Sequence, residues 1–185
     1  MYIFFSDSNV HVNNAIGRIS NLHKHYRISF NLQLLSIPGP SLIPIKELII
    51  GFTVNDGPAC CSIGEHTPGF YIENGNNFAI TLPINGSSYL SSATSFPISL
   101  KESYNVTLEQ VPVGEEIYNV TWYINGQMIE NIQNALANDY ENMIVYQSDP
   151  VSVPSSAIVT DLQYESFPSC EYEQIIACID SVTRL

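Results

Sequence analysis

Residues 117–166 read IYNVTWYINGQMIENIQNALANDYENMIVYQSDPVSVPSSAIVTDLQYES, and their patterning decides the fold class. Tyr118, Val120, Trp122 and Ile124 alternate with Asn119, Thr121, Tyr123 and Asn125, the period of a strand with one face in a core and the other in water. Asn125-Gly126 then turns the chain, because this dipeptide tolerates the positive φ angles of a tight hairpin. After a polar linker come a second strand, YENMIVYQ, the punctuation Ser148-Asp149-Pro150, a loop rich in proline and serine, and a third strand, AIVTDLQYES.

The same period recurs upstream. Over 24–35, Tyr26, Ile28, Phe30, Leu32 and Leu34 face a core while His25, Arg27, Ser29, Asn31 and Gln33 face water. Residues 36–44 carry three prolines, which remove ladder donors, so they form a crossing loop. Leu48, Ile50, Phe52 and Val54 make another inward row, ended by Asn55-Asp56-Gly57-Pro58. Residues 70–73, 78–84 and 89–92 read as a meander with Asn74-Gly75 and Asn85-Gly86 at its hairpin turns, and 97–110 supply a further strand. Residues 2–5 are a short edge-strand candidate and 10–19 a weaker one. The segment 111–116, VPVGEE, serves as a hairpin connection.

These strands resemble the laminin G-like branch of the concanavalin A-like β-sandwiches. HKHYRISFNLQL is similar to an early strand of that family, ELIIGFTVNDG to the strand that follows, TPGFYIENGNNFAITLPING to the next pair, and 117–166 to its closing strands. The resemblance spans roughly residues 15–166. It implies an all-β, two-sheet antiparallel sandwich of jelly-roll type over residues 1–167, with 168–185 a cysteine-containing segment that packs back or leads to a stalk. The pair Cys60-Cys61 and the tail after Phe167 depart from the family pattern.

Composition narrows the function. The 185 residues are long enough for one sandwich with a substantial core. Charged residues are only 13%, about half of the usual ~25%, so Ser, Thr and Asn must wet the surface, as in extracellular β-proteins. A net charge of −12 with six Lys and Arg excludes nucleic acid and anionic membrane, which need cationic patches, and disfavours acidic partners. The most apolar stretch, 34–54, is broken by Pro38, Pro40, Pro44, Lys46 and Glu47, so no run of about 18 apolar residues spans a bilayer. MYIFFSDS lacks a basic n-region and a long apolar h-region, so a secreted protein of this sequence would be a mature form.

Three sequons, at Asn85, Asn105 and Asn119, point to a secreted or cell-surface glycoprotein. Asn105 and Asn119 lie on the polar sides of strands expected to pair, which puts both on one outward face and makes that face sugar-covered. Cys60, Cys61, Cys170 and Cys178 form an even set, read as two disulfides. A vicinal bridge is strained, so ties between the 55–67 loop and the C-terminal segment are favoured over a local Cys170–Cys178 bridge. No CxxC supports zinc.

Enzyme signatures fail. A glycosidase needs two carboxylates across the scissile bond, yet Glu115-Glu116 sits in a turn and Asp161 with Glu165 lacks a third acid at strand spacing. There is no G-x-S-x-G elbow and no phosphate-cradling glycine loop. His23-Lys24-His25 has no acid or thiolate nearby in sequence and reads as an exposed strand start. Trp122, on the inward row, belongs to the core rather than to a sugar platform.

The resemblance implies a non-catalytic module that binds a glycan or a protein through loops at the sandwich rim, with calcium held by the loop acids Asp56, Asp139 and Asp149. Aspartate is also favoured at such positions simply as a turn former. The alternative is a structural or adhesion module acting by homophilic self-association as a homodimer, through an unglycosylated edge or face.

Overall fold

The computed structural model describes residues 8–9, 15–36, 46–53, 68–73, 76–86, 90–91, 96–147 and 153–167. Their strands, in chain order, are β1 (Ser8–Asn9), β2 (Ala15–Leu22), β3 (His25–Leu34), β4 (Lys46–Thr53), β5 (Gly69–Glu73), β6 (Asn77–Leu82) and β7 (Leu90–Ser91). Then come β8 (Phe96–Pro97), β9 (Ser103–Gly114), β10 (Ile117–Ile124), β11 (Gln127–Asn134), β12 (Tyr140–Tyr146), β13 (Val153–Pro154) and β14 (Ala157–Phe167). No helix occurs among the described residues, so among them no helix is long and apolar enough to cross a membrane.

The period-2 rows dictate two sheets. One runs β1-β14-β3-β9-β10-β11; the other runs β2-β12-β4-β5-β6-β7, with β8 beside β6 and the two residues of β13 parallel to β4. All other pairings are antiparallel. Tyr26, Ile28, Phe30, Leu32 and Leu34 are all buried, as the alternation of β3 requires. The two sheets meet through rings: Phe30 of β3 stands edge-on to Phe70 at 5.0 Å, and Trp122 of β10 lies 5.8 Å from Phe78. Each such side chain contributes about 1.5–3 kcal/mol by leaving water. The expected all-β sandwich is therefore the fold observed.

Local chemistry sets the turns. Asn125 (φ 51°) and Gly126 (φ 76°) both occupy the left-handed region, so β10 and β11 are joined by the two-residue hairpin that the dipeptide predicts. Asn85 (φ 51°) and Gly86 (φ 74°) share that geometry, within a longer link from β6 to β7. Asn74-Gly75 lies outside the described residues, although the strands it separates, β5 and β6, do pair.

Four segments differ from expectation: the candidate over 10–19 is β2 at Ala15–Leu22, the strand expected over 97–110 starts only at Ser103, and two more differ in kind. The polar linker after Gly126 is a full strand, β11, at the sheet edge, where neither side needs a continuous apolar row. The supposed connection VPVG is the end of β9, and only Glu115-Glu116 turns the chain. Pro112 is tolerated there because it pairs with Tyr118 at a bulge, beyond the last β3 partner of β9 at Gln110.

Candidate ligand-binding face

The outward faces of the two sheets differ. On the larger sheet Leu48, Tyr71, Ala79, Thr81 and Ile144, which alternate with core residues, are themselves buried, so that side is covered and largely apolar. On the six-stranded sheet many outward residues are polar and stand in rows fixed by register, with Val111, Met128, Ile158 and Phe167 as apolar members of the same face. One row runs Glu165, Arg27, Glu109, Thr121, Asn131; the next runs Gln163, Ser29, Thr107, Tyr123; a third pairs Asn31 with Asn105. In the second row the short side chains of Ser29 and Thr107 stand between Gln163 and Tyr123, and the exposed Met128 continues the row beyond Tyr123.

Glu109 ties the first two rows together. Arg27 donates to Glu109 Oε2 from Nε at 3.2 Å and from Nη2 at 3.1 Å, and its Nη1 lies 3.7 Å from Glu165 Oε2. The Tyr123 hydroxyl donates to Glu109 Oε1 at 3.0 Å. Burial, followed by this bond to Glu109, raises the Tyr123 pKa above its ordinary value. On the neighbouring strand Asn131 Nδ2 donates to Thr121 Oγ1 at 2.7 Å. At the other end Asn31 Nδ2 donates to Asp161 Oδ2 at 2.7 Å, and Asn105 Nδ2 to Asn31 Oδ1 at 3.3 Å. Asp161 takes φ 54° at the irregularity where β14 shifts register against β3.

The sequon asparagines follow the expected pairing. Asn119 sits opposite Val111, which has the same parity on β9 as Asn105, so both stand on this face. Six residues of β9 separate their positions, about 20 Å at strand rise, and the Glu109 and Thr107 rows lie between. Asn119 Oδ1 is buried with no hydrogen-bond partner. Asn85 is elsewhere: its Oδ1 accepts from Ala135 N at 2.6 Å and anchors the Asn85-Gly86 turn to the end of β11.

At the rim the calcium candidates are only partly placed. Asp56 and Asp149 lie outside the described residues, as do Cys60, Cys61, Cys170 and Cys178. Asp139 accepts from the Lys24 backbone N–H at 2.8 Å and lies 3.6 Å from His23 Nδ1, so it caps the turn from β2 into β3. No group of three His, Cys, Asp or Glu poised for a metal occurs among the described residues. Lys24 Nζ meets Glu116 at 2.8 Å, and the bond to Glu116 outweighs desolvation in raising the Lys24 pKa. His25 stacks against Phe167 with ring centroids 4.4 Å apart. Trp122 is buried in the core as expected, its Nε1 reaching Glu130 Oε2 at 3.4 Å.

One cavity, about the size of a single water, lies between the sheets beside Gln110, Asn134 and Tyr140. Gln110 donates to Lys24 O at 2.6 Å and accepts from Asn134 Nδ2 at 3.1 Å, so the cavity belongs to a structural network and is too small for a sugar.

Sequence comparison yields no family: no protein-family model matches the chain, and no curated protein matches it. Solved structures are similar in fold alone. A heptameric SAP-like pentraxin from Limulus polyphemus has a TM-score of 0.54 at 14% identity, over 87% of this chain and 76% of that one. An endo-β-1,4-glucuronan lyase from the fungus Trichoderma reesei has 0.53 at 11%, over 86% and 79%. An alginate lyase in complex with an alginate tetrasaccharide has 0.51 at 14%, over 89% and 75%. The chain thus shares with these structures the two-sheet antiparallel jelly-roll sandwich fold.

Proposed function

We propose that this chain is a non-catalytic recognition module that binds a glycan, and that the glycan lies on the outer face of the six-stranded sheet across Ser29, Thr107 and Tyr123. The observation that carries the proposal is the contrast between the two sheets: one outward face is covered and largely apolar, while the other presents rows of hydrogen-bonding side chains held rigid on paired strands. Sugars are bound by planar polar groups that accept and donate to several hydroxyls, together with an aromatic surface. Asn31, Arg27, Glu109 and Tyr123 supply both. A sandwich of similar shape is known with an alginate tetrasaccharide bound, which supports a sugar as the ligand class.

A binding role rather than turnover is supported by the sequence, in which neither Glu115-Glu116 nor Asp161 with Glu165 makes a glycosidase carboxylate set. The laminin G-like strand motifs, the three sequons and the even cysteine set support an extracellular glycoprotein stabilised by disulfides. Asn105 stands two residues from Thr107 on β9, about 7 Å at strand rise, so a glycan there borders the second row and its removal is part of the test.

The test is titration calorimetry of a neutral oligosaccharide panel against the native chain and Tyr123→Ala, with and without enzymatic removal of N-glycans. Tyr123→Ala is expected to weaken binding about tenfold or more, equivalent to about 1.4 kcal/mol, while far-ultraviolet dichroism stays unchanged. Undiminished binding by a folded Tyr123→Ala protein places the site elsewhere and overturns the assignment to this face.

A further inference from the structure

We infer that the glycan this face takes is neutral and hydroxyl-rich, and that polyuronates and sialylated sugars are refused; this rests on the recognition role proposed above. The chain has six cations, Arg18, Lys24, Arg27, Lys46, Lys101 and Arg184. Among the described outward residues of the six-stranded sheet, Arg27 is the only one in a strand, and its guanidinium is already committed to Glu109 and Glu165. Lys24 lies at one rim in an ion pair with Glu116. Lys101 lies at the opposite rim, in the turn before β9, where its backbone oxygen accepts from Gln33 Nε2 at 2.8 Å. Arg18 is on β2 and Lys46 on β4 of the other sheet, and Arg184 lies outside the described residues. Three carboxylates, Glu109, Glu165 and Asp161, share the face with that one guanidinium.

A sugar carboxylate arriving there would meet a surplus of negative charge and would have to displace a partner that Arg27 already holds. Desolvating an unpaired anion is costly, and like charges in contact add to that cost. A neutral sugar faces neither obstacle. Its hydroxyls donate to the remaining lone pairs of Glu109, Glu165 and Asp161, bonds strengthened by the charge of the acceptor, and accept from the side chains of Ser29 and Thr107. Two enzymes of similar fold carry glucuronan and alginate in their names. Both polymers are polyuronates, so this chain would share their shape and not their sugar.

The experiment is calorimetry at low and high salt with two probe sets of matched length: neutral gluco-, manno- and galacto-oligosaccharides, and oligoglucuronate, oligoalginate and sialyllactose. Expected is binding confined to the neutral set, nearly independent of salt, with Glu165→Lys gaining measurable affinity for the uronates. Uronate binding by the native chain as tight as neutral binding, and weakened by salt, overturns the neutral-ligand inference while leaving glycan recognition standing. Binding of neither set by correctly folded protein overturns both.

Discussion

His25 shows how a side chain beside the face reports on its surroundings. Its imidazole stacks on Phe167, and burial first, then the Arg27 guanidinium, lowers its pKa below 6.5, against a smaller opposing pull from Glu109. The unfolded chain therefore binds more protons between the folded value and about 6.5, so this residue's contribution to stability is lost as pH falls through that window. Replacing it by phenylalanine keeps the ring contact and removes the titration. The His25→Phe protein is expected to lose less stability than the native chain between about pH 7 and pH 5, measured by urea unfolding; parallel pH profiles would show that His25 is not the sensitive group. The surrounding cluster was invisible in sequence for a simple reason. Arg27, Glu109, Tyr123 and Glu165 come from four strands, and only the register of β14, β3, β9 and β10 brings them together. By contrast, the shared face of Asn105 and Asn119 could be read in advance, because their strands are consecutive and the parity of each sequon is written in its neighbours.

At the level of elements, legibility followed the strength of the apolar row. β3 and β10 have unbroken rows and were placed to within a residue or so. β11, QMIENIQN, lies at an edge and buries mainly Asn134 at its end, so no alternation announced it. The hairpin before it was legible from Asn125-Gly126 alone. A Cβ added at Gly126 would touch nothing within 4 Å, so the whole cost of an alanine there is conformational, set by φ 76°. Gly126→Ala is expected to destabilise the domain by about 1–2 kcal/mol, seen as a lower urea midpoint with an unchanged m-value. An unaltered midpoint would mean that the turn relaxes out of the left-handed region.

For the whole molecule, the question is whether the polar face binds a ligand or a second copy of the chain. A net charge of −12 on 185 residues favours mutual repulsion. Sedimentation velocity over a concentration series, with calcium and with chelator, is expected to give a monomer throughout. A dimer that grows with concentration whatever the calcium would favour the adhesion alternative and direct attention to the β11 edge. The central claim concerns the outer face of the six-stranded sheet. It is tested most directly by mapping amide chemical-shift changes in the isotope-labelled protein as a neutral oligosaccharide is added. The predicted result is a contiguous set of perturbed residues around Ser29, Thr107 and Tyr123. Perturbations confined to the rim near His23 and Asp139, with the sheet face silent, would contradict it.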